Sequence, residues 1–168
     1  PGQDFRSCGE ALCILSDDDG QTWRPSKSII APPPNSRTGL QEPGLIELKD
    51  GRLMMLCRTD LGCQYRAYSN DGGETWTAAE PSDILSPVSP ATIGRIPATG
   101  DLLRVWNNHR DIAPVLQGKR TPLSAAISND EGYSWQKERN IENDPDGWYC
   151  YTAMEFVGEH VLLSYCAG

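Results

Sequence analysis

The sequence predicts an all-β chain assembled from four-stranded antiparallel units of the β-propeller kind. Three observations carry that expectation. An eight-residue turn motif occurs three times, hairpin turns recur between short apolar segments, and no stretch shows a convincing 3.6-residue apolar period.

The motif comes first. Ser16-Asp17-Asp18-Asp19-Gly20-Gln21-Thr22-Trp23 reads S-x-D-x-G-x-T-W, as does Ser69-Asn70-Asp71-Gly72-Gly73-Glu74-Thr75-Trp76. Ser128-Asn129-Asp130-Glu131-Gly132-Tyr133-Ser134-Trp135 repeats it with Ser in place of Thr. The three copies begin 53 and 59 residues apart, so a structural unit of that length repeats. The chemistry is that of a tight turn. The Asp18, Asp71 and Asp130 carboxylates can accept backbone N–H bonds, and Gly20, Gly73 and Gly132 supply a positive φ. Trp23, Trp76 and Trp135 then leave on the next strand and pack between layers.

Strands are expected around each motif in order. Residues 8–30 form half a unit, with strands at 11–16 and 22–30. Residues 44–80 form a whole unit, with strands at 44–49, 52–59, 63–70 and 75–80 and a turn at Asp50-Gly51. Residues 89–141 form a second, with strands at 89–97, 102–108, 121–128 and 134–140 and a turn at Thr99-Gly100-Asp101. Residues 148–168 form another half unit, with strands at 148–157 and 159–166. That is about three blades, while propellers close with about 4–8. Unpaired terminal strands invite aggregation. The expectation is therefore a truncated chain, or a homodimer whose two copies pair edge to edge in a six-bladed ring.

Composition narrows the partners. The chain has 168 residues, 15 Lys+Arg against 23 Asp+Glu, a net charge of −8 and a pI near 4.7, which argues against nucleic acid. No apolar run approaches the ~20 residues of a membrane helix, so no membrane partner is expected. Six cysteines are too sparse for a disulfide scaffold; buried free thiols are the plain reading, although Cys57 and Cys63 could face each other across a hairpin. No C-x-x-C pair occurs and the two histidines are far apart, so neither metal nor cofactor is expected. The first residues carry no visible leader, and the compartment stays open.

The repeated motif resembles the Asp-box of the bacterial neuraminidase repeat. Residues 8–168 are similar to the sialidase superfamily of six-bladed propellers, glycoside hydrolase family 33 in particular. Asp-boxes also occur in non-enzymatic propellers, so function rests on the segments between them.

Alternating strand direction places the Asp-boxes at one end of each unit and other connections at the opposite, near face. That face collects Glu42, Arg58, Arg120 and Tyr151, with loops at 31–41, 81–88 and 143–147. Each has a plain structural reading. Glu42 could be a solvated loop residue, Arg58 a partner of Asp60, Arg120 a loop charge and Tyr151 an ordinary strand aromatic.

Their order matches the sialidases: a Glu ahead of a D-G-R hairpin, an Arg closing it, an Arg ahead of an Asp-box strand, then a Tyr in the next blade. The resemblance implies that Arg58 and Arg120 are two of three arginines clamping the sialic-acid carboxylate, a task suited to a planar, permanently charged fork. It implies Tyr151 as nucleophile and Glu42 as its base, in a retaining exo-α-sialidase. A neutral nucleophile avoids repulsion with the substrate's own carboxylate, and an ordinary tyrosine near ~10 needs a base beside it.

The family's third arginine and its Asp acid/base belong to blades upstream of anything matching here, and Asp4 and Arg6 carry no such motif. The chain alone is expected to be inactive. A non-catalytic propeller binding glycans or proteins, or a hydrolase of another sugar, are the alternatives. Asn107, Asn108 and His109 could contact sugar hydroxyls or be a solvated strand end. The Asp-box tryptophans are expected to be structural, and Trp148 could go either way.

Overall fold

The computed structural model describes residues 8–168, and all their regular structure is β strand apart from one 3-10 turn, Pro114–Leu116. Four antiparallel sheets follow one another along the chain. The first pairs β1 (Ile14–Leu15) with β2 (Arg24–Pro25), prolonged by a lone bridge between Ala11 and Ile30. The second runs in order β3 (Gln41–Glu47), β4 (Leu53–Arg58), β5 (Cys63–Ser69), β6 (Glu80–Leu85). The third repeats that order with β7 (Thr92–Arg95), β8 (Leu102–Asn107), β9 (Leu123–Ser128) and β10 (Gln136–Glu142). The last pairs β11 (Tyr149–Val157) with β12 (His160–Ala167).

Each Asp-box is closed by the same four bonds. The Ser hydroxyl donates to the Asp Oδ1 and accepts the Gly N–H, while the Thr or Ser at the seventh position donates both its N–H and its hydroxyl to the Asp carboxylate. All twelve distances lie between 2.5 and 3.0 Å. The motif glycines have φ of 83°, 90° and 86°, a region that L side chains avoid.

The Asp-box bonds also explain where strands depart from expectation. The fourth strand of the second sheet, expected at 75–80, is Glu80–Leu85, so 81–85 is strand rather than near-face loop. The Thr75 N–H is taken by Asp71 and the Trp76 N–H by Ser28 Oγ, which leaves neither for a ladder. Pro81 lies on this outermost strand, where a missing N–H is tolerated. The first pair is much shorter than 11–16 and 22–30, because Ser26 Oγ takes the Cys13 N–H and Pro25 has none to give. In the third sheet, strand one starts at Thr92 rather than 89, since Gln64 ties the Ser89 carbonyl to the preceding sheet.

The core is a series of seams between successive sheets. Ala11 and Ile30 of the first pack on Met55, Cys57 and Ala67 of the second. Leu56 and Ile84 of the second meet Trp106 and Ala126 of the third. Val105 and Leu123 of the third meet Tyr149 of the last. Trp76 fills the first seam and Trp135 the second. Trp23 differs: it is 64% exposed, because the described residues put no sheet on its outer side. All six cysteines are free thiols, and Cys57 pairs in register with Tyr65 rather than facing Cys63. Burial pushes the Cys57 thiol up to about 12.

The hydroxyl and backbone donors of Thr75 and Ser134 hold the Asp71 and Asp130 carboxyls down at about 2, against an ordinary 3.8. A depressed folded-state pKa contributes stability above the unfolded value and loses it as pH falls through the folded one. Asp71→Asn should therefore be less stable than the parent chain at pH 7. The gap should shrink between about pH 4 and pH 2, as read from urea midpoints by tryptophan fluorescence at each pH. A gap independent of pH would contradict this account.

Candidate active site

The sites singled out from sequence lie at the ends of strands opposite the Asp-boxes. β4 begins at Leu53, opposite the Asp-box residue Ser69, and runs about 17 Å before it ends at Arg58. Glu42 lies in β3 rather than before it, at a bulge between the Gln41–Arg58 and Gly44–Leu56 pairs. Tyr151 occupies the same place in β11, at a bulge between the Cys150–Cys166 and Ala153–Ser164 pairs. Both residues have positive φ, 51° and 56°. A non-glycine residue there is strained by roughly 1–3 kcal/mol, and such strain concentrates where a side chain must be aimed.

Two pairs form the site. Arg58 donates Nη1 to Glu42 Oε1 at 2.9 Å and Nη2 to Gln41 Oε1. Asp60, the alternative partner, turns instead to the loop before β3. It accepts from the Ser36 hydroxyl and from the Arg37 and Thr38 backbone, which keeps it far below the usual carboxylate range even as burial works against the charge. The Arg58 and Glu42 side chains are 13% and 31% exposed, and Arg58 Nε and Glu42 Oε2 are buried without a partner. Both therefore keep unused hydrogen-bonding capacity.

The second pair is Arg120 with Tyr151. The guanidinium carbon lies 5.4 Å from the Tyr151 ring centroid and 5.3 Å from that of Trp148, and Nη2 donates to the Val88 carbonyl at 3.0 Å. Burial opposes the Arg120 charge, but the neighbouring Tyr151 phenol and Cys150 thiol outweigh it and raise its pKa. Tyr151 and Trp148 are 50% and 42% exposed, so each presents a ring to solvent. Glu42 and Tyr151 line one open cleft of about 440 Å³, floored by Pro90, Thr92 and Ile93. Glu42 is bonded to Arg58 and not to the Tyr151 phenol.

Asn107 is neither a sugar contact nor a solvated strand end. It is buried, and its Nδ2 donates to the carbonyls of Arg120, Pro122 and Tyr149 at 2.8, 3.2 and 3.1 Å. It thus fixes the backbone that carries Arg120 to the backbone that carries Tyr151. Asn108 is likewise buried and bonded to Glu138, and His109 meets the Lys119 carbonyl, its pKa lowered by burial. Sequence reasoning missed Gln41 and the positioning role of Asn107. The only signal for Gln41 was its place beside Glu42. Asp4 and Arg6 lie outside the described residues. Among the described residues no His, Cys, Asp and Glu groups cluster in a way that could hold a metal, and no helix is long and apolar enough to cross a membrane.

Residues 4–161 match the BNR repeat-like domain family. A sialidase of Micromonospora viridifaciens is 32% identical over 154 residues, which cover 86% of this chain and 22% of that protein. The NanB sialidase of Streptococcus pneumoniae, in complex with 2-[(3-chlorobenzyl)ammonio]ethanesulfonate, superposes with a TM-score of 0.70 at 25% identity, over 94% of this chain and 24% of that one. A leech intramolecular trans-sialidase, complexed with 2,7-anhydro-Neu5Ac, gives 0.67 at 21% identity, over 95% of this chain and 24% of that one. The chain spans about a quarter of the length of these relatives. Three Asp-boxes with identical bonding, stacked antiparallel sheets and a family match over nearly the whole chain converge: this chain belongs to the BNR repeat-like family, within the sialidase superfamily of β-propeller-type folds.

Proposed function

We propose that this chain carries part of the active site of a retaining exo-α-sialidase, in a six-bladed propeller that further polypeptide completes. The observation that carries the reading is the shared cleft. Glu42 and Tyr151, from two different sheets, line it from equivalent strained bulges, each with an arginine at hand. A sialoside bears a carboxylate, and this strongly acidic molecule needs local cations to receive it. Arg58 and Arg120 supply them at the near face.

In this reading the Tyr151 oxygen attacks the anomeric carbon and its proton passes to the Glu42 carboxylate. The bond to the leaving alcohol breaks, with that oxygen protonated by the acid/base Asp expected upstream. Water then releases the sugar with retained configuration. Arg120 places positive charge beside the attacking oxygen. Glu42 can keep its Oε1 bond to Arg58, since its unpartnered Oε2 is the atom left to take the phenol proton once the side chain turns toward Tyr151. The exposed faces of Trp148 and Tyr151 offer apolar surface for a sugar ring. The ligand held by NanB carries a sulfonate beside its ammonium group, and that held by the leech enzyme is an acidic sugar, so each presents an oxyanion.

The test uses the full-length protein that contains this chain and a fluorogenic sialoside. Glu42→Gln should lower kcat by about 10²–10⁴, the usual worth of a positioned base. Tyr151→Phe should lower it at least as much. Unchanged turnover in Tyr151→Phe would sink the mechanism, while sialic acid binding with no turnover in the parent would favour a binding propeller. Arg58→Ala should raise KM for the same substrate by about 10–100-fold, from the loss of a charge-assisted bond. It should leave KM for an uncharged aryl glycoside unmoved. Equal effects on both substrates would mean that Arg58 is purely structural.

A further inference from the structure

Two of the six cysteines face each other across the last sheet. Cys150 of β11 and Cys166 of β12 are register partners, so their side chains leave the sheet on the same face. Two residues earlier, Trp148 and Gly168 exchange both N–H···O bonds, at 2.8 and 3.0 Å. Bonded and non-bonded pairs alternate along an antiparallel ladder, which makes Cys150 and Cys166 a bonded pair with Cα atoms about 5.5 Å apart. That separation falls within the range a disulfide spans. Both are free thiols, Cys150 buried and Cys166 exposed. The other cysteines have no such partner. Cys57 lies opposite Tyr65 and Cys63 opposite Leu85, while Cys8 and Cys13 lie outside the named strands.

What flanks the pair gives it consequence. Cys150 immediately precedes Tyr151, and its thiol lies beside Arg120. The backbone on both sides is tied down. The Tyr149 N–H donates to the Arg120 carbonyl at 3.0 Å, and the Tyr149 carbonyl accepts from Asn107 at 3.1 Å. The Thr152 carbonyl accepts from the Thr92 hydroxyl at 2.6 Å. Cys150 and Tyr151 are the two residues left between those anchors, with Tyr151 at φ 56° in the bulge. A displacement of Cys150 therefore has one outlet, the peptide that carries Tyr151. Burial raises the Cys150 pKa and outweighs the Arg120 cation that lowers it, so the buried sulfur stays a thiol at neutral pH. The exposed Cys166 is then the sulfur that meets an oxidant first.

We infer that Cys150 and Cys166 form a reversible disulfide that controls the seating of Tyr151 and Arg120. The oxidant is a small disulfide of the glutathione class. The Cys166 thiolate attacks one of its sulfurs, the S–S bond breaks, and one small thiol leaves. Cys150 then gives its proton to water and attacks the Cys166 sulfur of the mixed disulfide, expelling the second small thiol. Two protein thiols are oxidised by two electrons, and one small disulfide is reduced to two thiols. In the product the Cys150 sulfur is bonded to β12 and no longer meets the Arg120 guanidinium as a thiol. The residue before Tyr151 is drawn toward β12 while Tyr149 and Thr152 stay fastened, so the phenol shifts against Arg120. The crosslink rests on the register of the last sheet alone, and its effect on turnover rests on the sialidase reading.

The test uses the full-length protein that contains this chain, incubated with oxidised glutathione and digested without reduction. Peptide mass mapping should show Cys150 joined to Cys166 with the loss of two hydrogens, reversed by dithiothreitol. On a fluorogenic sialoside the oxidised protein should lose about 10–100-fold in kcat, since misplacing a reacting group by about 1 Å costs up to ~10². Dithiothreitol should restore the rate. Cys166→Ser should turn over as the parent does, form no such crosslink and be indifferent to the oxidant. A mixed disulfide that never closes, a crosslink from Cys150 to another cysteine, or a crosslinked protein with undiminished kcat would overturn the inference. So would an equal loss of rate in Cys166→Ser. A reduced parent without turnover would instead defeat the sialidase reading, and the mass map would still decide the crosslink.

Discussion

The Asp-box carboxylate is the constraint on which the rest of the structure depends. Asp71 accepts the Ser69 hydroxyl, the Thr75 hydroxyl and the Thr75 N–H, and Asp18 and Asp130 do the same in their turns. Those bonds force the chain back on itself through a glycine at positive φ. They also fix the angle at which the following tryptophan leaves. Because that tryptophan packs on the previous sheet, a bond network of eight residues sets the spacing between neighbouring sheets. Local chemistry thus dictates a long-range arrangement.

The sheet seams are not purely apolar, and the polar groups within them follow the same logic. Arg104 is buried between the second and third sheets, its guanidinium carbon 3.9 Å from the Trp106 ring centroid and 4.3 Å from that of Trp135. Burial pulls its pKa down to about 10, still far above neutrality, so it stays charged. The two indole faces meet the cation where a carboxylate partner is missing, since Nε and Nη1 have no hydrogen bond. The Asp-box tryptophan is therefore both wedge and counter-surface. At the far end of that seam, Glu131 of the third Asp-box accepts from Arg95 and from the Lys49 backbone, which again ties a turn to the sheet before it.

Much of the fold was legible because the Asp-box is contained within eight consecutive residues, and each of its bonds is implied by a residue type. The strand after Asp71 was misplaced because the Trp76 N–H goes to Ser28, 48 residues away, and no local pattern announces that. The site was legible in its residues but not in its pairing. Arg58 with Asp60 looked natural from adjacency, yet the strand ends at Arg58 and Asp60 turns back to serve the loop at 36–38. Glu42 then faces Arg58 because a bulge in β3 redirects it, and a bulge is invisible to alternation. Asn107 read as a polar strand end for a similar reason. Its three acceptors come from segments 13 to 42 residues downstream.

The placement of Glu42 and Tyr151 depends on stacking more than on any loop. One belongs to the second sheet and the other to the last, and the first strand of the third sheet separates them. The Thr92 hydroxyl donates to the Thr152 carbonyl at 2.6 Å, fastening the bulge of β11 to that intervening strand. Asn107, one strand further in, fastens the Arg120 and Tyr149 backbones together. Any change in the angle between sheets would move Tyr151 relative to Glu42 with both side chains intact. Their alignment is therefore set by the seams, and ultimately by the tryptophan wedges.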